Sequence, residues 1–179
     1  MDMIVPGMLG QKDFYAKEFL LWLWYMVETK NGEFVTEDGI KLFLSIENKL
    51  ILDNILGDEQ LLFKGEFPSE TLEAHYALKQ GKTIKELKLK IIKGISNKLE
   101  DIQHEWSFNF RADGFKVSGL KLPISENKRF YEKFKERIFL LEEFYDYFGD
   151  IYKQFIMIRL DSEKWEENFI NIKNWIFPK

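Results

Sequence analysis

Residues 19–27, FLLWLWYMV, form a run of nine apolar residues that includes two tryptophans. A membrane span needs about 20 predominantly apolar residues. Charged residues close this run on both sides, with Lys17 and Glu18 before it and Glu28 and Lys30 after it. We therefore expect no membrane-spanning segment here.

Helix signals surround the same run. Asp13 can cap a helix that begins at Phe14, and Asn31-Gly32 supplies a stop signal. The stretch between these signals is about 16 residues, which is longer than a typical strand. Because its centre is apolar all round, such a helix must be covered on most of its faces. The sequence predicts a buried core helix.

The composition is that of a folded chain. Of 179 residues, 45% are apolar and 16% are aromatic, whereas disordered chains are poor in aromatics. The chain has no cysteine, which excludes disulfides, thiolate metal sites and cysteine nucleophiles. The first residues, MDMIVPGMLG, lack the basic and long apolar regions of a signal peptide. We expect a cytoplasmic protein.

Apolar runs between turn signals predict strands after the first helix. Residues 40–46 and 50–52 flank the polar tripeptide ENK at 47–49, which predicts a hairpin. The stretch LLFKGEF at 61–67 predicts a third strand that ends at Pro68.

A second helix and three further strands follow. Ser69 can cap the helix SETLEAHYALKQG, and Gly81 can end it. Residues 83–93, TIKELKLKIIK, alternate apolar and polar side chains, which is typical of a strand with one wet face. Residues 104–112 alternate in the same way, and Asp113-Gly114 predicts a tight turn into the strand FKVSGLKLP.

The C-terminal part has helical periodicity. Residues 127–160 predict a long amphipathic helix and residues 163–177 a short final one. Either the first and last helices cover the long apolar stripe internally, or a partner protein covers part of it. The stripe consists of Phe130, Phe134, Ile138, Leu141, Tyr145, Phe148, Tyr152 and Phe155.

These elements predict an α+β fold. The order helix, three strands, helix, three strands is compatible with two αβββ-like units in antiparallel sheets, although residue identity between the halves is low. We expect residues 1–124 to form an α+β domain with a buried N-terminal helix. Residues 125–179 would form a helical segment that packs on this domain or on a partner.

A lysine cluster is the strongest chemical signal. The net charge is −4, yet residues 79–98 hold seven lysines and a single acid. Such lysines can neutralise nucleic-acid phosphates, or they can be the solvated face of a strand. The candidate DNA-contacting residues are Lys79, Lys82, Lys85, Lys88, Lys90 and Lys93.

Catalytic and metal signals are weak. His75 and His104 lack the HExxH spacing of a zinc site. Some metal-dependent nucleases place Glu-x-Lys on a strand, and Glu86-Leu87-Lys88 with Asp53 could imitate that arrangement. We expect no enzyme, no metal and no cofactor, and keep a Mg²⁺ nuclease as a remote alternative.

Several motifs together resemble one known family. They are KEFLLWLWY, with matches at residues 18–24, LEAHYALKQGK, with matches at 73–74, 77–78 and 81–82, and SGLKLP, with matches at 118–119 and 121–123. This combination resembles the C-terminal portion of the recombination-associated RdgC family, in its shorter and divergent members. The resemblance covers residues 9–160 and rests mainly on core and turn residues.

The resemblance implies a cytoplasmic protein that binds double-stranded DNA without sequence preference and restrains recombinase loading. The best-known relatives form ring-shaped dimers with a basic inner surface. This chain would lack the N-terminal part of those relatives. We therefore consider a homodimer, a separately encoded N-terminal half as partner, and a phage or mobile-element protein.

Two function classes follow. The first is a DNA-binding protein that modulates recombination and contacts phosphates through the lysine cluster. The second is a non-enzymatic protein-interaction or regulatory module that acts through the aromatic C-terminal helix. Salt-dependent DNA binding distinguishes the first from the second.

Overall fold

The computed structural model describes residues 14–54, 59–94, 104–126 and 128–178. These ranges form a six-stranded antiparallel sheet with helices, which confirms the predicted α+β class. In chain order the elements are α1 (Phe14–Lys30), β1 (Glu33–Val35), β2 (Lys41–Asp53), β3 (Gln60–Lys64), a 3₁₀ turn (Pro68–Glu70), α2 (Leu72–Lys79), β4 (Thr83–Lys93), β5 (Glu105–Arg111), β6 (Lys116–Lys121), α3 (Phe130–Leu160) and α4 (Ser162–Ile176).

The helix α1 is the buried core helix that the sequence predicts. Residues 19–25 are all buried, and Trp22 and Trp24 are at most 1% exposed. Asn31 and Gly32 both adopt positive φ, which ends the helix. A side chain at Gly32 would lie 1.9 Å from the carbonyl oxygen of Leu44, so this position also needs glycine for space. Asp13, the predicted cap, lies outside the described residues.

The sheet has one apolar and one polar face. Its strand order is β1-β2-β4-β5-β6, and β3 also pairs with β2. Leu87 and Leu89 of β4 and Phe108 and Phe110 of β5 are fully buried on the inner face. Against this face pack α1 and the C-terminal half of α3, where the rings of Phe108 and Phe144 lie 4.8 Å apart.

The predicted hairpin at 47–49 is wrong, because β2 is one continuous strand. Ile46 pairs with Leu89 of β4, and Leu50 pairs with Leu87. Between these two pairs β2 therefore contains two more residues than β4. A polar tripeptide between apolar runs is typical of a turn, but here it forms a bulge. The strand β1 was not predicted.

The start of the second helix also differs from the prediction. Ser69 is buried in the 3₁₀ turn, and Thr71 caps α2 by accepting a hydrogen bond from the backbone N–H of Ala74. The predicted glycine stop is confirmed, since Gly81 follows the helix with a φ of +86°. The third predicted strand ends at Lys64 rather than at residue 67.

The two αβββ units occur in chain order but differ in pairing. In the first unit β1 and β3 both pair with the same edge of β2, and the other edge of β2 pairs with β4. In the second unit β4 and β6 pair with opposite edges of β5. The division at residue 124 stays a prediction, and Phe155 of α3 and Ile172 of α4 belong to the same buried cluster as the sheet.

The described residues contain no helix that is both long and apolar enough to cross a membrane.

Candidate functional site

A groove on the outer face of the sheet contains two of the predicted lysines. Lys88 and Lys90 alternate with the buried Leu87 and Leu89, so they point away from the core. The groove has a volume of about 1120 Å³. Strands β2, β3, β4 and β6 all contribute lysines to it, namely Lys49, Lys64, Lys88, Lys90 and Lys121.

The bulge of β2 forms one side of this sheet groove and carries its central carboxylate. Glu47 lies 3.4 Å from the ammonium groups of both Lys88 and Lys90 and accepts a hydrogen bond from Ser107. Burial alone would raise the pKa of Glu47, but the Ser107 hydrogen bond and the two ammonium groups lower it below its ordinary value. Glu47 is therefore ionised at neutral pH and is shared between two cations.

Carboxylates pair with three of the five lysines in the groove. Glu47 contacts Lys88 and Lys90, Glu105 also contacts Lys90, and Glu86 contacts Lys49. Lys64 and Lys121 are exposed, and neither has a carboxylate within 4 Å in the part of the chain that the structure describes. These two ammonium groups are available to an anionic ligand without first breaking an ion pair.

The other four predicted lysines lie elsewhere, so the six do not gather on one surface. Lys79 and Lys82 line a second, mainly apolar pocket beside α2, and Lys82 lies 3.1 Å from Glu59. Lys93 lies 3.0 Å from Glu143 of α3. Lys85 is half-buried near the β5–β6 turn. Their role in DNA contact stays a prediction.

Sequence reasoning missed Lys49, Lys64 and Lys121. Lys49 lies in the bulge, where the sequence predicts a turn, and its ammonium group lies 2.5 Å from the carboxylate of Glu86. Lys64 ends β3, and Lys121 ends β6 opposite Ser107 of β5. These lysines come together in the groove only because strands that are distant in sequence pair. No local sequence pattern predicts such pairing.

The structure does not bring together the residues of the nuclease alternative, Asp53 and Glu86. Asp53 pairs in register with Thr83, three residues along β4 from Glu86, a separation of about 10 Å. The side chain of Asp53 accepts a hydrogen bond from Thr83 and lies 3.5 Å from Lys17 of α1. Glu86 instead contacts Lys49 on the groove side. The described residues contain no group of three or more potential acidic or histidine metal ligands.

The two histidines make structural contacts. His75 of α2 lies 3.1 Å from the carboxylate of Glu28, which also accepts hydrogen bonds from the indoles of Trp24 and Trp175. These contacts join α1, α2 and α4. His104 lies 3.6 Å from Glu143 and packs edge-on against Trp106.

The apolar stripe of α3 divides into two halves. Phe148 and Phe155 are buried and Tyr152 is half-buried, so this part belongs to the chain's own core. The exposed half is the other five residues of the stripe, of which Phe130 is 89% exposed and Tyr145 59%. Its remaining members are Phe134, Ile138 and Leu141.

Comparisons with known proteins give no relative. No protein-family model, no curated protein and no solved structure matches this chain. The resemblance to the RdgC family therefore stays a prediction.

Proposed function

We propose that this protein binds duplex DNA without sequence preference through the sheet groove. The observation that carries the proposal is that four strands bring five lysines into one groove of a chain whose net charge is −4. The resemblance to the RdgC family implies the same activity and suggests that bound protein restrains recombination by covering the duplex.

The chemistry of the groove favours phosphate contact over base reading. A lysine ammonium is a compact point charge that attracts phosphate but carries little geometric information about a base. In this proposal Lys64 and Lys121 bind phosphates directly. Lys88 and Lys90 exchange the shared carboxylate of Glu47 for phosphate oxygens, and Lys90 also gives up its contact with Glu105. Each phosphate contact releases condensed counterions, so binding weakens as salt rises.

The test is the salt dependence of binding to a short duplex of arbitrary sequence, measured by fluorescence anisotropy. The double variant Lys64→Ala/Lys121→Ala removes the two unpaired ammonium groups without breaking an ion pair. We expect the slope of log affinity against log salt to fall by about 1.8, which is about 0.9 for each lost contact.

Lys116→Ala is the matched control, because Lys116 is an exposed lysine of the same strand β6 that lies outside the groove. It should leave the slope unchanged. An absence of binding at low salt, or equal slopes for the double variant and the unaltered protein, contradicts the proposal.

A second function, protein interaction through α3, is favoured by a separate observation. The exposed half of the stripe places aromatic side chains in solvent on a helix whose residues 130–139 include no buried side chain. Contiguous exposed apolar surface is typical of protein-interaction sites. This surface and the sheet groove share no residue, so variants in one leave the other intact.

A further inference from the structure

We infer that the exposed half of the α3 stripe pairs with the same surface of a second copy of this chain, in antiparallel orientation. The inference rests on the surface that favours protein interaction and is independent of the sheet groove. The partner is identified by helix geometry, apolar area and charge.

The exposed and buried side chains lie on different faces of α3. Successive residues of an α-helix are rotated by about 100°. On that basis the exposed half of the stripe is centred about 100° away from the face formed by Leu140, Phe144 and Ile151, which are buried against the sheet. The helix thus presents a second apolar face that its own fold leaves uncovered.

The spacing of this face suits helix pairing. Phe134, Ile138, Leu141 and Tyr145 follow each other at alternating steps of four and three residues, the spacing of a coiled-coil seam. In an antiparallel pair with Phe134 across from Tyr145, Ile138 lies across from Leu141. The same register therefore satisfies both copies, as a two-fold symmetric contact requires.

The apolar area is adequate for association. Large aromatic side chains bury about 150–250 Å² each when they are fully covered. Phe130 is 89% exposed, Tyr131 66%, Phe134 55% and Tyr145 59%. Together with Ile138 and Leu141 they offer roughly 600–700 Å² per copy, close to the approximately 800 Å² per partner of a standard interface.

Charges beside the stripe select the antiparallel orientation. Lys135, Glu142 and Asp146 are exposed and lie within about 40° of one another on one side of the stripe. None of the three forms an ion pair within the described residues. The proposed register places Lys135 opposite the position between Glu142 and Asp146 of the second copy. A parallel pair would instead bring Lys135 near Lys133 and Arg137.

The test is sedimentation equilibrium of the full chain from micromolar to several hundred micromolar concentration. We expect a monomer–dimer equilibrium that Lys135→Glu weakens about tenfold, because attraction becomes repulsion at two symmetric places. Glu142→Lys/Asp146→Lys should weaken it similarly. The triple variant that combines all three changes should restore association, since the charges are then exchanged but still complementary.

Glu163→Lys, at an exposed position of α4, is the control charge reversal and should leave the dissociation constant unchanged. A monomer at every concentration overturns the inference, and so does a triple variant that associates no better than the single and double variants. Neither result affects the salt test of the sheet groove, so failure of the pairing and failure of DNA binding are distinguishable.

Discussion

The two halves of α3 differ in what covers their apolar side chains. From Leu140 onward the helix packs on the sheet and on α1, with Phe144, Ile151 and Phe155 fully buried. The same kind of side chain faces solvent at Phe130 and Phe134 and, beyond Leu140, at Tyr145. The five exposed residues of the stripe are centred on a different face of α3 from Leu140, Phe144 and Ile151, so the sheet does not cover them. The buried half stabilises the fold and the exposed half is available to a partner.

Truncation of one aromatic side chain in each half should give the largest difference in the free energy of unfolding. Phe155 is fully buried and its ring lies 5.3 Å from that of Phe19, so Phe155→Ala should lower the free energy of unfolding by about 3–5 kcal/mol. Phe134→Ala should change it by less than about 0.5 kcal/mol. Urea denaturation at low protein concentration measures both. Equal losses would mean that the exposed half is also part of the core.

The ion pair at the C-terminal end of α3 gives the next largest effect. Arg159 lies 2.8 Å from Glu18, a carboxylate of α1 that is 1% exposed. Arg159→Met should lower the free energy of unfolding by about 3 kcal/mol, because it leaves a buried charge without its partner. The double variant Glu18→Gln/Arg159→Met should recover part of this loss in the same denaturation assay. No recovery would argue that Arg159 acts through packing alone.

Glu18 also predicts a pH dependence. Burial raises its pKa above the ordinary value of 4.5, although the hydrogen bond and the charge of Arg159 lower it in part. The raised pKa means that the folded state favours the protonated form of Glu18. Protonated Glu18 therefore makes its full contribution to the free energy of unfolding below pH 4.5, and this contribution declines as the pH rises through the raised pKa.

Comparison of the unaltered protein with Glu18→Gln measures this effect. As the pH rises from 4.5, the free energy of unfolding of the unaltered protein should fall relative to that of Glu18→Gln. A difference that is constant with pH would show that Glu18 does not titrate as proposed.

The smallest expected effect tests the boundary between the halves. The hydroxyl of Tyr147 donates a hydrogen bond of 2.9 Å to Glu143, so Tyr147→Phe should cost about 1 kcal/mol of unfolding free energy. Tyr145 is 59% exposed, and Tyr145→Phe should be neutral within about 0.5 kcal/mol. Thermal unfolding of the two variants in parallel provides the measurement. A larger loss for Tyr145→Phe would reverse the assignment of faces.

Local patterns predicted the elements well wherever local forces determine them. Examples are the apolar run of α1, the alternation in β4 and β5, and the periodicity of α3. In each case the spacing of the apolar residues shows which face of the element is buried. The bulge at Glu47 was not predictable, because a polar tripeptide is compatible with a turn until its pairing with β4 is known. Thr71 was overlooked as a cap because Ser69 is an equally good capping residue two positions earlier.

The candidate surfaces follow the same rule. Lys88 and Lys90 share a strand face, so alternation alone placed them together. Lys64 and Lys121 join them only through non-local pairing of β3 and β6, and the carboxylate of Glu47 arrives through the bulge. For α3 the sequence predicts the length of the apolar stripe, but which of its residues are buried depends on how the helix packs on the sheet and on α1.

Hydrogen–deuterium exchange at several protein concentrations tests the difference between the two halves of α3 most directly. We predict that amides of residues 130–139 become better protected as concentration rises, while protection at residues 150–155, which lie beyond the proposed contact, stays constant. Protection at residues 130–139 that does not depend on concentration would contradict the account.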